Sequence, residues 1–513
     1  MMKPNASSTV QVIWDRKPTA EAFFAVVDGG KLSLTPQALQ HIVEGREVVE
    51  RLLADGRPIY GLNRGLGSLK DHALSREEIS HFNQIVWQSH AIVGDEVPLT
   101  DLEVRALIAA RVAGMARGVS GARPQLVQRL IDFLNLGLHP VVRARYLSVG
   151  ESDLSPMAQI ACALMGEGEI RYQGQAMPAA EALRAAGLQP ILPEAKDGLA
   201  LISANSYCVG VGLTALRDAI NVLAAANTIG ALMYDGYAAS STALLPEVFE
   251  ARDFVGIRVC GQVFRKLLAG DALEREARAL QDPLSYRCIV QVHGAIHDVL
   301  MQAANTHLSM LGSGNDSPLV TQDGLFSNGN FEATGLALAM DHVRLALHRL
   351  ASLSTERVHK MLWGEFSGLP TSLFPQDEAR NGMFLNNLSR SLSAMMAGVG
   401  SLALPSGLST CSQITAGMDD YQSLAPTSLE RLQDQLPIMK RVLAIEALNA
   451  TRAIKCRGAP VSPALQEIYN LLLDKSEKLF SARARMVVAD WYNDFPWSLA
   501  ARLGMPEENQ EWL

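Results

Sequence analysis

Leu336, Met340, Val343, Leu347 and Leu350 follow one another in alternating steps of four and three residues. That spacing draws one apolar stripe along a helix, and the stripe has to be buried against other helices. The same logic recurs along the chain. Thr100-Asp-Leu-Glu103 reads as a capping box, with Val104, Leu107, Ile108, Val112 and Met115 following at helical spacing. Pro124 opens a helix with Leu126, Val127, Leu130, Ile131 and Leu134 inward, and Gly137 and Pro140 end it. Thr427-Ser-Leu-Glu430 reads as a further capping box, and Pro437 is expected to kink the helix it opens. Thr35-Pro36 starts a helix carrying Leu39, Ile42, Val43, Val49, Leu52 and Leu53, with Gly56 beyond its end. Residues 8–14 and Lys31–Leu34 are the clearest strands.

Across 513 residues, aromatics make up 6% and alanine and leucine are abundant, a mix that favours helix over strand. The expected fold is therefore mainly α: a small mixed α/β N-terminal region (residues 1–115) followed by an elongated helical bundle (116–513). Helices with apolar seams on several faces also favour oligomerisation. A net charge of -8 gives no basic footprint for nucleic acid or anionic membrane. The start, Met-Met-Lys-Pro-Asn-Ala-Ser-Ser, lacks the apolar core of a secretory signal, and no uninterrupted apolar run is long enough to span a bilayer. Six cysteines without a C-x-x-C pair read as free thiols, so a cytoplasmic protein is expected.

Two loops stand out. Pro58-Ile-Tyr-Gly-Leu-Asn-Arg-Gly-Leu-Gly67 has three glycines in ten residues, a shaped loop that carries Tyr60, Asn63 and Arg64. In Tyr146-Leu-Ser-Val-Gly-Glu-Ser-Asp-Leu-Ser-Pro-Met-Ala158, glycine and proline punctuate a turn around Ser152, which lies between Glu151 and Asp153. His293 and His297 stand one helical turn apart with Asp298 adjacent, a ligand-like spacing with no third ligand evident. No metal is expected.

Four segments together resemble the aromatic amino acid and histidine ammonia-lyase superfamily. Tyr60-Gly-Leu-Asn-Arg-Gly-Leu-Gly67 is similar to its Tyr-Gly-x-Asn-Thr-Gly-Phe-Gly loop, and Ser89-His90-Ala91 to the Ser-His-Ala of the histidine branch. Glu194-Ala-Lys-Asp-Gly-Leu-Ala-Leu201 resembles Glu-Ala-Lys-Glu-Gly-Leu-Ala-Leu, and Gln281-Asp-Pro-Leu-Ser-Tyr-Arg-Cys288 resembles Gln-Asp-Pro-Tyr-Ser-x-Arg-Cys. Asn328-Gly-Asn-Phe331 and Leu369-Pro370 are weaker matches. The order is the family's, over nearly the whole chain. The resemblance implies a homotetramer with active sites shared between subunits, Tyr60 as catalytic base and Arg287 holding a substrate carboxylate. It further implies His90 beside the substrate ring, with Asn63, Ser152, Asn205, Gln281, Tyr286, Phe331 and Asp419 as other binding residues.

The departures are informative. The family's Ala-Ser-Gly, which cyclises into the electrophile methylidene-imidazolone, is replaced by Glu151-Ser-Asp153 in a loop one residue shorter. Glycine there leaves room for the bend that cyclisation needs, and aspartate does not. No prosthetic group is expected. Arg64 stands in place of a threonine, where its charge would help a phenolate form at Tyr60. Ser203-Ala-Asn205 replaces Asn-Gly-Thr, Leu284 replaces a tyrosine, and Asp419 stands where a substrate-contacting glutamate does. A quaternary trimethylammonium leaves as neutral trimethylamine without covalent capture, so the resemblance points to the branch that lacks the electrophile, the ergothionases. These eliminate trimethylamine from the histidine betaine ergothioneine to give thiourocanate. The open alternatives are an ammonia-releasing lyase of histidine or an aromatic amino acid, an inactive homologue serving as a binding subunit, and a metal-dependent enzyme using His293 and His297.

Overall fold

The computed structural model describes residues 10–94, 96–147, 154–408, 417–481 and 488–513. Ser152, with its neighbours Gly150, Glu151 and Asp153, lies outside the described residues, as does Cys411. The chain forms two compact units: residues 1–215, 304–340 and 405–430 make the first, and residues 216–303, 341–404 and 431–513 the second.

In the first unit, Val12 and Trp14 point inward and Gln11 and Ile13 outward, the alternation of a half-buried strand. This strand, β1 (Gln11–Trp14), runs parallel to β2 (Lys31–Leu34), in register from Gln11 opposite Lys31 to Trp14 opposite Leu34. Helix α1 (Ala20–Val27) makes the crossover between them. Helix α2 (Pro36–Asp55) starts as its sequence requires, with the Thr35 hydroxyl accepting from Ala38 N and Pro36 in the first turn; it ends at Gly56 in the left-handed region. Helix α3 (Arg76–His90) opens on a Ser75/Glu78 capping box, and α4 (Asp101–Met115) on the Thr100/Glu103 box. Helix α5 (Pro124–Leu136) ends at Gly137, also left-handed, and α6 is Leu154–Leu164.

Every residue of α4 from Val104 to Met115 is buried. The cut expected after residue 115 falls at the end of α4, with both sides in the first unit. Its Arg105 shows how tightly α4 is held: the guanidinium donates to Val27 O (3.0 Å), Leu134 O (2.7 Å) and Gly30 O (3.1 Å).

The second unit is helical throughout among the described residues. The chain passes between the units five times, four of them within the long helices Ser206–Tyr237, Ile289–Met310, Thr334–Leu362 and Ala425–Arg457 and once between Leu404 and Pro405. The stripe from Leu336 to Leu350 is buried at all five positions. Gln435 Nε2 donates to Arg344 O (3.0 Å) and Val399 O (3.1 Å), which ties three helices of the second unit together. Elsewhere the backbones nearly touch: a Cβ on Gly256 would lie 2.1 Å from Gly294 O. Five of the cysteines are free thiols.

Two expectations need correcting. The helix of Thr427 begins at Ala425, and Glu430 does not close a capping box, because its Oε1 accepts from the backbone N–H of Tyr146 (2.8 Å). Pro437, expected to kink this helix, lies inside it. The stretch Asp197–Tyr237 also contains a window long and apolar enough to cross a membrane, 89% of it buried. Core burial accounts for that composition.

Candidate active site

The predicted residues divide between the two units. Tyr60, Asn63, Arg64, His90, Asn205, Phe331 and Asp419 belong to the first, and Gln281, Tyr286 and Arg287 to the second.

Leu62 anchors the Tyr60 loop. It is buried among Val48, Val49, Leu52, Ile79, Ala195 and Val320. Gly61 has φ +68°, and a Cβ there would lie 2.6 Å from Leu199 Cδ1 and 3.3 Å from Pro318 Cδ, so only glycine lets the loop settle this deeply. The loop's free end closes through an isolated bridge between Arg64 and Ala73. Asn63 holds the loop from within: its Oδ1 accepts from Ile59 N (2.8 Å) and its Nδ2 donates to Arg57 O (2.7 Å). Both ends of this amide are thus spent on the loop's own backbone, a positioning task. Tyr60 Oη accepts the Gly67 N–H at 3.2 Å, a contact that strengthens as negative charge builds on the oxygen. Arg64 Nη1 reaches Asp71 O at 3.4 Å.

The remaining first-unit residues are held by contacts of their own. Lys70 Nζ contacts Met418 Sδ at 3.4 Å, which brings the segment holding half-buried Asp419 alongside the loop. The Asn328-Gly-Asn-Phe331 turn is fixed by Asn328 Nδ2 on Asp316 O (3.0 Å) and Asn330 Nδ2 on Gly314 O (3.1 Å), leaving Phe331 half-buried. His90 ends α3, and its Nδ1 lies 2.7 Å from Val86 O. A carbonyl only accepts, so Nδ1 carries a proton in this contact. Just beyond His90, Ile92 O accepts from Ser155 Oγ (2.7 Å) and Gln159 Nε2 (2.8 Å). The chain on either side of Ser152 is therefore anchored, on Glu430 at Tyr146 and on Ile92 at Ser155.

Beneath the loop lies a polar cluster that sequence reasoning missed. Asp197–Ile202 is a short helix packed under Gly61 through Leu199. Buried Arg111 donates to Ala200 O (3.0 Å) and pairs with the carboxylate of buried Asp316. Lys196 caps this helix in the left-handed region (φ +69°), fully buried. Its Nζ, Asp316 Oδ2 and both amide atoms of buried Asn205 meet no hydrogen-bond partner among the described residues. Burial pushes the Lys196 ammonium down to about 8; Asp316 opposes this, Arg111 adds to it, and Asp197 opposes it. The available signal was a lysine inside the run Glu194–Leu201, flanked by residues that bury themselves.

A stability effect follows. An unperturbed lysine titrates near 10.5. Between about pH 8 and 10.5 the unfolded chain keeps a proton that folded Lys196 has released, so this group makes stability rise with pH across that window. Below pH 8 the full penalty, about 3 kcal/mol, is present. Lys196→Met should raise the urea unfolding midpoint most at pH 7 and progressively less toward pH 10. A difference independent of pH would show that the charge is not the cause.

In the second unit, Gln281 precedes the short helix Leu284–Arg287 and Arg287 ends it, and both are exposed. No hydrogen bond or ion pair engages the Arg287 guanidinium among the described residues, which leaves its fork able to take a carboxylate. Tyr286 departs from expectation. It is fully buried, its hydroxyl donates to Arg357 O (3.0 Å), and its ring stacks on Tyr237 at 3.9 Å. That is a packing role. His293 and His297 are also buried, each held by an asparagine: His293 Nδ1 by Asn227 Oδ1 (2.8 Å) and His297 Nε2 by Asn509 Nδ2 (3.4 Å). Burial, then the positive Arg357, keeps His293 well below the usual imidazole range. No group of three or more metal-ligating side chains occurs among the described residues.

Residues 19–474 match the family model described as aromatic amino acid lyase. Histidine ammonia-lyase from Geobacillus thermodenitrificans is 32% identical over 466 residues, covering 90% of this chain and 89% of that protein. The histidine ammonia-lyase of Anaeromyxobacter sp. is 34% identical over 463 residues, covering 87% and 90%. Among solved structures, ergothionase from Treponema denticola, in complex with desmethyl-ergothioneine sulfonic acid, is similar with a TM-score of 0.90 and 25% identity, covering 96% of this chain and 99% of that one. Histidine ammonia-lyase from Trypanosoma cruzi shares the fold, with a TM-score of 0.87 at 24% identity and coverage of 98% and 97%. By motif, by fold and by sequence, the chain belongs to the aromatic amino acid lyase family.

Proposed function

We propose that this lyase eliminates trimethylamine from a histidine-derived betaine, converting ergothioneine to thiourocanate. The observation that carries the reading is a substitution beside retained residues: Glu151-Ser-Asp153 stands where an ammonia-lyase has Ala-Ser-Gly, while Tyr60, His90, Gln281 and Arg287 remain. The residues present do not fit a methylidene-imidazolone, because the aspartate side chain obstructs ring closure where glycine permits it. The likeness to the Treponema denticola ergothionase supports ergothioneine as the substrate.

The chemistry then rests on side chains alone. Tyr60, as phenolate, removes a proton from Cβ. The C–H electron pair becomes the Cα=Cβ bond, and the C–N pair leaves with trimethylamine. Arg287 grips the carboxylate through two parallel hydrogen bonds. His90 Nε2 accepts from the substrate ring, and Asp419 and Gln281 complete its polar contacts. Tyr60 and Arg287 meet in the assembled enzyme, a cytoplasmic homotetramer in which different subunits supply them. Leu280 and Leu284 lie exposed beside Gln281 and Arg287, apolar surface of the kind a neighbouring subunit covers.

Incubation with ergothioneine should release trimethylamine and raise the absorbance of a conjugated acrylate, with L-histidine left unchanged. Ammonia from histidine would instead support the second reading, a histidine ammonia-lyase, which the curated relatives favour. The denatured mass should equal that of the unmodified chain; a deficit of two waters would mean that the ring forms. Arg287→Lys should raise KM for ergothioneine by about tenfold to a hundredfold with a smaller change in kcat, since lysine lacks the planar fork. An unchanged KM would remove Arg287 from carboxylate binding.

A further inference from the structure

The second unit contains a cavity of about 550 Å³ that the proposed reaction does not use, and Arg275, Arg278 and Arg457 line it together with Asp271 and Glu274. Arg275 pairs with the Asp235 carboxylate and donates to Asp235 O at 3.1 Å. Arg457 donates to Gly236 O (2.9 Å), Tyr237 O (3.2 Å) and Ser367 O (2.9 Å). Its Nη1 meets no acceptor among the described residues. Arg278 donates to Phe366 O and lies 4.7 Å from the centre of the Tyr237 ring. Burial, then the positive charges of Arg278 and Arg275, push the Arg457 guanidinium down.

Three like charges around one space are unfavourable unless something answers them. Asp235 answers one from behind the wall. Asp271 and Glu274 are exposed and share the cavity itself, so three guanidiniums stand with three carboxylates, and neither acid forms an ion pair with these arginines among the described residues. A phosphate dianion would meet the two acids, and an apolar ligand would leave the guanidiniums unanswered. A molecule with both charges satisfies both sets. We infer that this cavity is a second small-molecule site, for a zwitterion carrying a carboxylate and a cationic nitrogen. The arginine forks take the carboxylate, and Asp271 with Glu274 takes the nitrogen. Arg278 lies over the Tyr237 ring, which stacks on Tyr286, the residue before Arg287.

Glycine betaine is the probe. It has a carboxylate and a trimethylammonium but no β-carbon, so no elimination can consume it. Calorimetric titration of the intact enzyme should give saturable binding. Arg278→Gln should weaken it by about tenfold, the loss of one charge-assisted hydrogen bond. Asp271→Asn combined with Glu274→Gln should weaken it as well. Arg287→Lys, which alters the proposed carboxylate contact of the active site, should leave it intact. Absence of saturable binding at millimolar probe overturns the inference, as does equal affinity in Arg278→Gln. Loss of binding in Arg287→Lys would place the betaine in the active site, and displacement by inorganic phosphate would make the cavity an anion site; either result overturns the assignment. None of these outcomes depends on which substrate the enzyme eliminates.

Discussion

Tyr60→Phe should lower kcat for ergothioneine by about a hundredfold to ten-thousandfold, the usual contribution of a positioned general base. The change removes one oxygen. Lost with it are the atom that takes the Cβ proton and the acceptor of the Gly67 N–H. That hydrogen bond contributes about 1 kcal/mol, so the unfolding midpoint should fall only slightly. Leu62 stays in its core and Asn63 continues to brace the loop, so Tyr60→Phe should bind substrate with nearly the wild-type constant. The measurement is turnover by trimethylamine release, paired with an equilibrium unfolding curve. Activity within twofold of wild type would mean that another group takes the proton.

The second large effect is on stability. Asp316→Asn keeps the shape of the side chain and removes the only carboxylate that pairs with buried Arg111 among the described residues. Lys196 loses its main stabilising charge at the same time. Breaking one side of a buried ion pair commonly costs about 3–5 kcal/mol, because the other charge stays desolvated. Lys196 can shed its proton, whereas an arginine cannot, so the penalty falls mainly on Arg111. The urea midpoint of Asp316→Asn should drop accordingly. The drop should be smaller in a background with Lys196→Met, where one uncompensated charge has already gone. Arg111 also holds Ala200 O, and Leu199 of that helix supports Gly61, so turnover should fall along with stability. A wild-type midpoint in Asp316→Asn would show that water satisfies this cluster and the ion pair does not.

The two predictions mark two degrees of legibility. The loop of Tyr60 drew notice through three glycines in ten residues, with tyrosine, asparagine and arginine between them, and the role proposed for Tyr60 comes from the family resemblance. Arg111 and Asp316 were not readable, because they lie 205 residues apart in the sequence and each looks like an ordinary charged residue where it stands. Tyr286 was misread for a related reason. Its neighbour Arg287 is exposed while Tyr286 is buried, and within one helical turn only the packing partners, Tyr237 and Arg357, decide which side chain turns inward. The supposed capping box at Thr427 failed in the same way, since Glu430 takes its partner from Tyr146.

Sequence by itself determined the elements with local causes. Thr35-Pro36 and Thr100/Glu103 set helix starts, Gly56 and Gly137 set helix ends, and the four- and three-residue steps from Leu336 to Leu350 chose the buried face. It also displayed the Tyr60 loop, the Arg287 segment and the altered Glu151-Ser-Asp153. Tertiary structure alone decided that Asn63 braces its loop, that Tyr286 is core, and that Lys196, Arg111 and Asp316 lie together beneath Gly61. Backbone hydrogen bonds and apolar periodicity act over a few residues and leave a mark in the local pattern. Charge pairing and desolvation depend on which distant segments meet, and only folding brings those segments together.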